Sequence, residues 1–251
     1  MPKESGIVAL LLEDCESTND LARKHGEGGA ASGSWVSARL QTRGRGRAGN
    51  TWISQPGNLF LSVVLRPDPA LLAGRSAELT WVPLLAACVC RSAVLALRPE
   101  LEDSLRIKWP NDLWLGASKA GGILCEGVGG ASGQFLIVGM GLNTSLSPEL
   151  SERSTASLGV SADQLRETIP QLLVEGWERL QREGSAAIRT AYVGAAYFRI
   201  GDEVSWLERG TGVRGAVLGL GPYGDLRVRV TEGQSAGERS IFADEVSKVT
   251  R

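Results

Sequence analysis

The stretch from Trp35 to Leu65 constrains the fold more than any other part of the chain. Two apolar runs, Trp35 to Leu40 and Leu59 to Leu65, have the composition of central strands in a buried sheet. Between them hangs "QTRGRGRAGNTW", residues 41 to 52, and a Pro56-Gly57-Asn58 turn sits just before the second run. A hydrophilic, glycine-rich segment is thus a loop anchored at both ends in the core of a sheet. Its glycines let the backbone approach a ligand, and its guanidinium groups are suited to forked contacts with phosphate oxygens.

The neighbouring pattern fits a mixed α/β sheet flanked by helices. Ile7 to Leu12 reads as a buried strand, and Ser17-Thr18-Asn19-Asp20 opens a helix that Gly26 is expected to end. A long helix is expected near residues 76 to 97. Strands follow at Leu105 to Trp109, Ile123 to Gly127 and Gln134 to Gly139, with Leu113 to Leu115 as an edge piece. Residues 162 to 198 read as two helices, with Leu165, Ile169, Leu172, Leu173 and Trp177 on one face. From Ile200 the texture changes to short alternating runs divided by glycine-rich turns. The expected division is therefore a large domain, residues 1–198, and a small C-terminal β barrel, residues 199–251.

Composition narrows the function classes. The formal charge is -1 with a pI near 6.0, so Arg43, Arg45 and Arg47 are a local cluster on a near-neutral chain, which weakens a nucleic-acid role. Four cysteines and one histidine give neither a disulfide framework nor paired metal-ligand spacing, and the thiols read as reduced and intracellular. The N-terminal apolar run is interrupted by Glu13 and Asp14 and lacks a cleavage pattern, so no signal peptide is expected. Leu79 to Leu97 contains Pro83 and Arg91 and suits a core helix better than a membrane span. A cytoplasmic protein without membrane association is expected.

Gly44-Arg45-Gly46-Arg47-Ala48-Gly49 literally matches the dinucleotide fingerprint G-x-G-x-x-G. That turn must open a helix whose N-terminus faces the pyrophosphate, and the following residues up to Pro56-Gly57 leave no room for a long one. A disordered RNA-binding segment would need repeats or interleaved aromatic residues. A mobile clamp over a small phosphate ester remains, beside an ordinary solvated loop. Lys108-Trp109-Pro110-Asn111-Asp112 ends an apolar strand in good turn chemistry that also carries a cation, an amide and a carboxylate. Lys119 stands at the mouth of a strand beside Gly121 and Gly122. Gly139-Met140-Gly141-Leu142-Asn143 ends another strand in small residues, against which a flat ligand can lie.

Taken together and in this order, these segments resemble the biotin protein ligase family: Glu16 to Asp20, Gln41 to Trp52, Lys108 to Asp112, Lys119 to Glu126 and Gly139 to Asn143. The resemblance implies a catalytic domain of the class II aminoacyl-tRNA synthetase and biotin ligase type, an α/β (α+β) fold, followed by an SH3-like barrel. It also implies the activity of a biotin--[acetyl-CoA-carboxylase] ligase, which makes biotinyl-5'-AMP from biotin and ATP with Mg²⁺. The biotinyl group then passes to a lysine of a biotin carboxyl carrier domain. By similarity Lys119, Arg47 and Arg45 are catalytic. Ser17, Thr18, Asn19, Gln41, Gly44, Arg45, Arg47, Trp52, Lys119, Gly122, Gly141 and Leu142 surround biotin. Arg47, Asn50, Trp52, Asn111, Lys119 and Asn143 serve the nucleotide, and Asp112 the Mg²⁺. A homodimer is expected from the resemblance alone.

One position departs from the family pattern: Asn50 stands where a further Arg is usual, which removes a charge and a bidentate fork from the loop. Only six residues precede the first expected strand, Ile7 to Leu12, too few for a winged helix-turn-helix, so sequence-specific DNA binding is not expected. The rivals are a lipoate or octanoate ligase of the same fold, which would lack the loop in this form, and a non-catalytic biotin- or nucleotide-binding protein.

Overall fold

The protein is described by a computed structural model covering residues 6–129, 133–150, 154–208, 210–232, 237–243 and 246–250. The chain begins with β1 (Ala9–Cys15), α1 (Thr18–Glu27), β2 (Trp35–Gln41) and β3 (Leu59–Leu65). Helix α2 (Pro69–Gly74) and a 3-10 segment, Ser76–Trp81, lead into α3 (Val82–Leu97). Next come β4 (Leu105–Lys108), β5 (Asp112–Leu115), β6 (Ser118–Val128) and β7 (Phe135–Leu142), then α4 (Ala162–Glu183) and α5 (Ala186–Ala195). The C-terminal strands are β8 (Glu203–Glu208), β9 (Thr211–Leu220), β10 (Leu226–Glu232), β11 (Gly237–Ile241) and β12 (Val246–Thr250).

Among the described residues the first seven strands form one sheet in the order β1-β2-β3-β7-β6-β5-β4, with β1 and β2 parallel and the other neighbours antiparallel. This is the mixed sheet read from the sequence. Every residue of β3 is buried, Ser62 among its apolar residues included, as a strand between two partners in a covered sheet requires. Register decides the rest. Phe60 faces Gly141, which faces Gly122; Ser62 faces Gly139, which faces Leu124. Alternation therefore turns these residues and Glu126 to one side of the sheet. Leu59, Leu61, Val63, Leu65, Val138, Met140 and Ile123 point to the other, where α3 and α4 cover them in the main core. Each fully buried Leu or Ile there contributes roughly 1.5–3 kcal/mol.

Leu165, Ile169, Leu173, Trp177 and Leu180 form the buried stripe of α4, and Ser161 caps the helix by accepting from the Gln164 backbone N–H at 3.4 Å. Helix α3 with its 3-10 lead is apolar enough to cross a membrane by length and composition, yet Val82, Leu84, Leu85, Val89 and Val94 are buried against the sheet and α4. The second sheet runs β11-β10-β9-β8-β12. Leu226, Val228 and Val230 alternate with exposed Arg227 and Arg229 on β10. Trp81 Nε1 donates to the Pro222 carbonyl and Trp109 Nε1 to that of Gly224, both at 2.9 Å, and these bonds fasten this sheet to the first.

Several local expectations differ from the structure. The first strand runs Ala9–Cys15 at the sheet edge, paired among the described residues with β2 alone, and Ile7 and Leu11 are exposed, not buried. Leu113 to Leu115 belongs to β5, which lies between β4 and β6; β4 is the edge. The stretch 76 to 97 is divided, because Pro83 lacks the N–H that would continue the first turns and instead stands near the start of α3. Strand β6 begins at Ser118, so Lys119 is part of the ladder and not in the turn before it.

Gly26 does not end α1 but lies buried in its last turn, because a Cβ there would stand 2.3 Å from the Phe135 ring. Phe135 is buried and has Arg66 over its face at 5.1 Å, so the ring has little room to yield. Gly26→Ala sets a helix-propensity gain of about 1 kcal/mol against an overpacking cost of about 1–3 kcal/mol. Overpacking is expected to win, and a urea titration should show a lower midpoint than the native chain; a raised midpoint would show that Phe135 moves aside freely.

Candidate active site

The glycines of β6 and β7 leave a bare strip on the face turned toward α1. A Cβ at Gly139 would meet Asn19 Oδ1 at 2.1 Å, and one at Gly141 would meet the Trp52 indole at 2.6 Å. The start of α1 and the end of the arginine-glycine loop therefore rest directly on sheet backbone, and a cavity of about 950 Å³ opens between them. That is the size and placement expected of a site for a small ligand with a nucleotide.

At one end the polar groups are buried. Ser17, Thr18 and Asn19 begin α1, with Ser17 at the N-cap position but making no side-chain cap bond. Gln41, the last residue of β2, accepts from the Thr18 backbone N–H at 2.8 Å and from Thr18 Oγ1 at 3.1 Å. Ser62 Oγ, from the middle of β3, lies 2.7 Å from Thr18 Oγ1 and 2.6 Å from Asn19 Oδ1. Asn19 Nδ2 donates to Glu126 Oε2 at 2.7 Å.

The loop is a small hairpin, not a helix start. Arg45 bridges to Thr51, the Gly46 N–H donates to the Asn50 carbonyl at 2.7 Å, and the Trp52 N–H to that of Gly44 at 2.9 Å. Its tip, Arg47–Gly49, is one 3-10 turn with Ala48 at φ 52° and Gly49 at φ 76°. Asn50 Nδ2 donates to the Arg47 carbonyl at 2.8 Å, which gives the residue a capping role in this turn. Arg45 reaches Glu126 through both terminal nitrogens, at 3.0 and 2.9 Å, and Asp20 at 2.7 Å. Burial alone would lower the guanidinium pKa, but these two carboxylates outweigh it and hold it above its usual value. Burial would likewise raise Glu126; the hydrogen bonds from Arg45 and Asn19 reverse this and keep it below the usual carboxylate range.

Toward the other end stand the cations. Lys119 Nζ donates to Asp112 Oδ1 at 2.7 Å, with the two side chains 14% and 20% exposed, and lies 5.5 Å from the centre of the Trp52 ring. Its backbone N–H and carbonyl bond to Ser154 and Ala156, so the strand cannot shift without carrying the lysine along. Arg47 donates to Asn111 Oδ1 at 3.1 Å and to the carbonyl of Ala243, which brings the second sheet to the cavity. Asn111 Nδ2 in turn donates to the Ile123 carbonyl at 2.5 Å. Lys108 Nζ sits 3.9 Å over the Trp114 ring at the cavity wall.

Of the residues expected from the sequence, Ser17, Thr18, Asn19, Gln41, Arg45, Arg47, Asn50, Trp52, Asn111, Asp112, Lys119, Gly122 and Gly141 line this one cavity. Gly44 lies just behind the lining, where a Cβ would meet the Trp52 carbonyl at 2.6 Å. Leu142 points into the main core on the opposite face. Asn143 is buried behind Lys119, its Nδ2 3.4 Å from the Lys119 carbonyl. Sequence reasoning passed over Ser62 and Glu126, although a hydroxyl within an all-apolar strand and a charge at the same alternation as Gly122 were both visible. Val249 and Thr250, also at the wall, gave no signal in the sequence.

Covalent catalysis by a cysteine finds no support. All four thiols are free, and burial pushes those of Cys88, Cys90 and Cys125 up to about 12. No group of three His, Cys, Asp or Glu side chains suited to a metal occurs among the described residues.

Residues 11–143 match the model of the biotin/lipoate A/B protein ligase family. The biotin--[acetyl-CoA-carboxylase] ligase of Paracoccus denitrificans is 33% identical over 248 residues, covering 94% of this chain and 98% of that protein. The bifunctional ligase/repressor BirA of Bacillus subtilis is 31% identical over 70% of this chain, which spans 49% of the longer relative. The fold matches that of the Aquifex aeolicus biotin protein ligase, solved with biotin and ATP, with a TM-score of 0.76 over 97% of this chain and 99% of that one at 23% identity. Slot, cations and fold thus agree with the family match, and the chain belongs to the biotin/lipoate A/B protein ligase family.

Proposed function

We propose that the chain is an ATP-dependent biotin protein ligase, which activates biotin as biotinyl-5'-AMP and transfers it to a lysine of a biotin carboxyl carrier domain. The observation that carries this reading within the family is the buried polar end of the slot. Thr18, Asn19, Gln41 and Ser62 supply several donors and acceptors at a closed wall. A ureido ring carries donors and an acceptor that can exchange hydrogen bonds with such groups, whereas a lipoyl or octanoyl tail has none to offer at that end.

In the first step a biotin carboxylate oxygen bonds to the α-phosphorus, the bond from that phosphorus to the bridging oxygen breaks, and pyrophosphate leaves. In the second, the carrier lysine nitrogen bonds to the acyl carbon, the bond to AMP breaks, and the amine gives up a proton. Neither step needs an enzyme nucleophile. The work is to bring anions together, and Lys119, reaching over the bare strip from β6, is the cation placed to stabilise charge on the carboxylate and α-phosphate oxygens. Arg47 serves the phosphates and Trp52 covers the slot. Mg²⁺, where bound, neutralises the triphosphate. Asp112 is the residue that would hold it, and one carboxylate already bonded to Lys119 suits an ion that arrives on phosphate oxygens.

A homodimer joined through the sheet is supported by the edge position of β1. A cytoplasmic setting suits the four free thiols. Sequence-specific DNA binding is not proposed.

Incubation with ATP, a biotin carrier domain and radiolabelled biotin should label the carrier, and labelled lipoate should not; label from lipoate alone would overturn the assignment. Lys119→Ala should cut the labelling rate by about 10²–10³-fold while the melting curve stays cooperative. Native labelling by that variant would remove Lys119 from the centre of the mechanism. Gly141→Ala puts a methyl where Trp52 lies and should raise the KM for biotin roughly tenfold, with kcat less affected, in steady-state labelling.

A further inference from the structure

We infer that Glu126 is the positioning residue that couples closure of the arginine-glycine hairpin to the polar end of the slot, acting through Arg45 on one side and Asn19 on the other. The inference rests on the ligase reading for what closure accomplishes, but the contacts themselves do not depend on it. Glu126 takes both terminal nitrogens of Arg45, at 3.0 and 2.9 Å, in the parallel fork that is the strongest form of this pair. The same carboxylate accepts from Asn19 Nδ2 at 2.7 Å and from Arg23 at 3.4 Å. Its side chain is 18% exposed, so water competes for these contacts far less than at an ordinary surface pair.

The position of Glu126 follows from the sheet. It shares the alternation of Gly122 and Leu124, so it projects from the same face as the slot, beyond the glycine strip and under the hairpin. From there the contacts continue inward: Asn19 Oδ1 is 2.6 Å from Ser62 Oγ, Ser62 is 2.7 Å from Thr18 Oγ1, and Thr18 donates to Gln41. A ligand that re-orients Asn19 or Thr18 therefore acts on the carboxylate that holds Arg45. Asp20, the residue after Asn19, adds a second acceptor for Arg45 at 2.7 Å, but its side chain is more exposed than that of Glu126. Glu126 thus joins the polar end of the slot to its cover, and the hydrogen bonds from Arg45 and Asn19 outweigh burial and favour its charged form. Glu126 contacts Arg45, Asn19 and Arg23 and acts through them.

The test uses the full chain with three variants: Glu126→Gln, Arg45→Gln and the double variant. Trypsin cleavage after Arg43, Arg45 or Arg47, located by mass spectrometry, reports hairpin opening without ligands. Steady-state labelling of a carrier domain gives kcat and KM for biotin. Glu126→Gln keeps a hydrogen-bonding group for Asn19 but removes the charge. It should speed cleavage in the hairpin roughly tenfold and raise the biotin KM by a similar factor, with kcat changed less than about threefold. Arg45→Gln, altered on a side chain outside the sheet, should likewise speed cleavage after Arg43 and Arg47 and raise the biotin KM even where the β6 variant folds poorly. The double variant should be no worse than the more affected single one, because both substitutions break one link. Cleavage and KM within about twofold of the native chain in Glu126→Gln, or singles whose effects multiply in the double variant, would overturn the proposal. A native chain that labels no carrier would instead strike the ligase reading, while the cleavage rates would still decide whether the link exists.

Discussion

A slot in the middle of a β-sheet exists only where side chains are missing, and everything else at this site follows from the glycines that clear it. Gly122 and Gly141 pair directly across β6 and β7, with Gly139 one step along on the same face. Their absent Cβ atoms let Asn19 and Trp52 rest on backbone. Glycine weakens a strand interior because it has no side chain to pack and much backbone freedom to lose. The compensation lies on the opposite face, where Val138, Met140 and Leu142 are fully buried under α3, and in the unbroken ladders that β7 makes with β3 and β6. The bare face is tolerable because the other face is full.

The same geometry governs the charges. A cleft walled by protein strengthens every electrostatic contact inside it, so a cation left there alone would be costly. Each principal cation has a partner: Lys119 has Asp112, Arg47 has Asn111 and the Ala243 carbonyl, and Arg45 has Glu126 and Asp20. Half-buried pairs of this kind are weak evidence for stability, since desolvation cancels much of their attraction. They do fix where charge stands before a substrate arrives, which is the form of organisation that stabilises developing negative charge. A phosphate or carboxylate entering the slot then exchanges one set of oxygens for another around cations whose positions are already set.

The architecture was legible wherever one physical signal dominated. The run at Leu59 to Leu65, apolar but for Ser62, gave β3 to the residue, and the stripe Leu165, Ile169, Leu173, Trp177 gave the buried face of α4. It was less legible where tertiary placement decides. Nothing local distinguishes β5 as an inner strand from β5 as an edge, and β1 is apolar enough to be central although it ends at the border of the sheet. Gly26 looked like a helix stop because glycine usually is one; only the ring of Phe135, more than a hundred residues away, explains it. At the site, motif residues were found by chemistry, while Leu142 and Asn143 fell outside the lining because alternation and the strand end turn them away. Glu126 closes the segment Lys119 to Glu126, but its role depends on three segments meeting, which spacing along the chain does not reveal.

The hairpin is where the bare glycine strip and the paired charges meet. Its sequence satisfies a fingerprint that elsewhere starts a helix, yet here Ala48 takes a left-handed conformation that costs an L-residue about 1–2 kcal/mol. Several contacts hold it there: the Asn50 side chain on the Arg47 carbonyl, the Gly46 to Asn50 and Trp52 to Gly44 backbone bonds, and the Arg45 fork on Glu126. Asn50 therefore exchanges a charge for a cap. An arginine at that position would bring another cation toward the phosphates but would lose this short amide bond to the turn. The structure favours a loop whose closed shape is built from its own backbone and one carboxylate of the sheet, so that its remaining arginine, Arg47, is aimed at the cavity by the turn and not by the substrate alone.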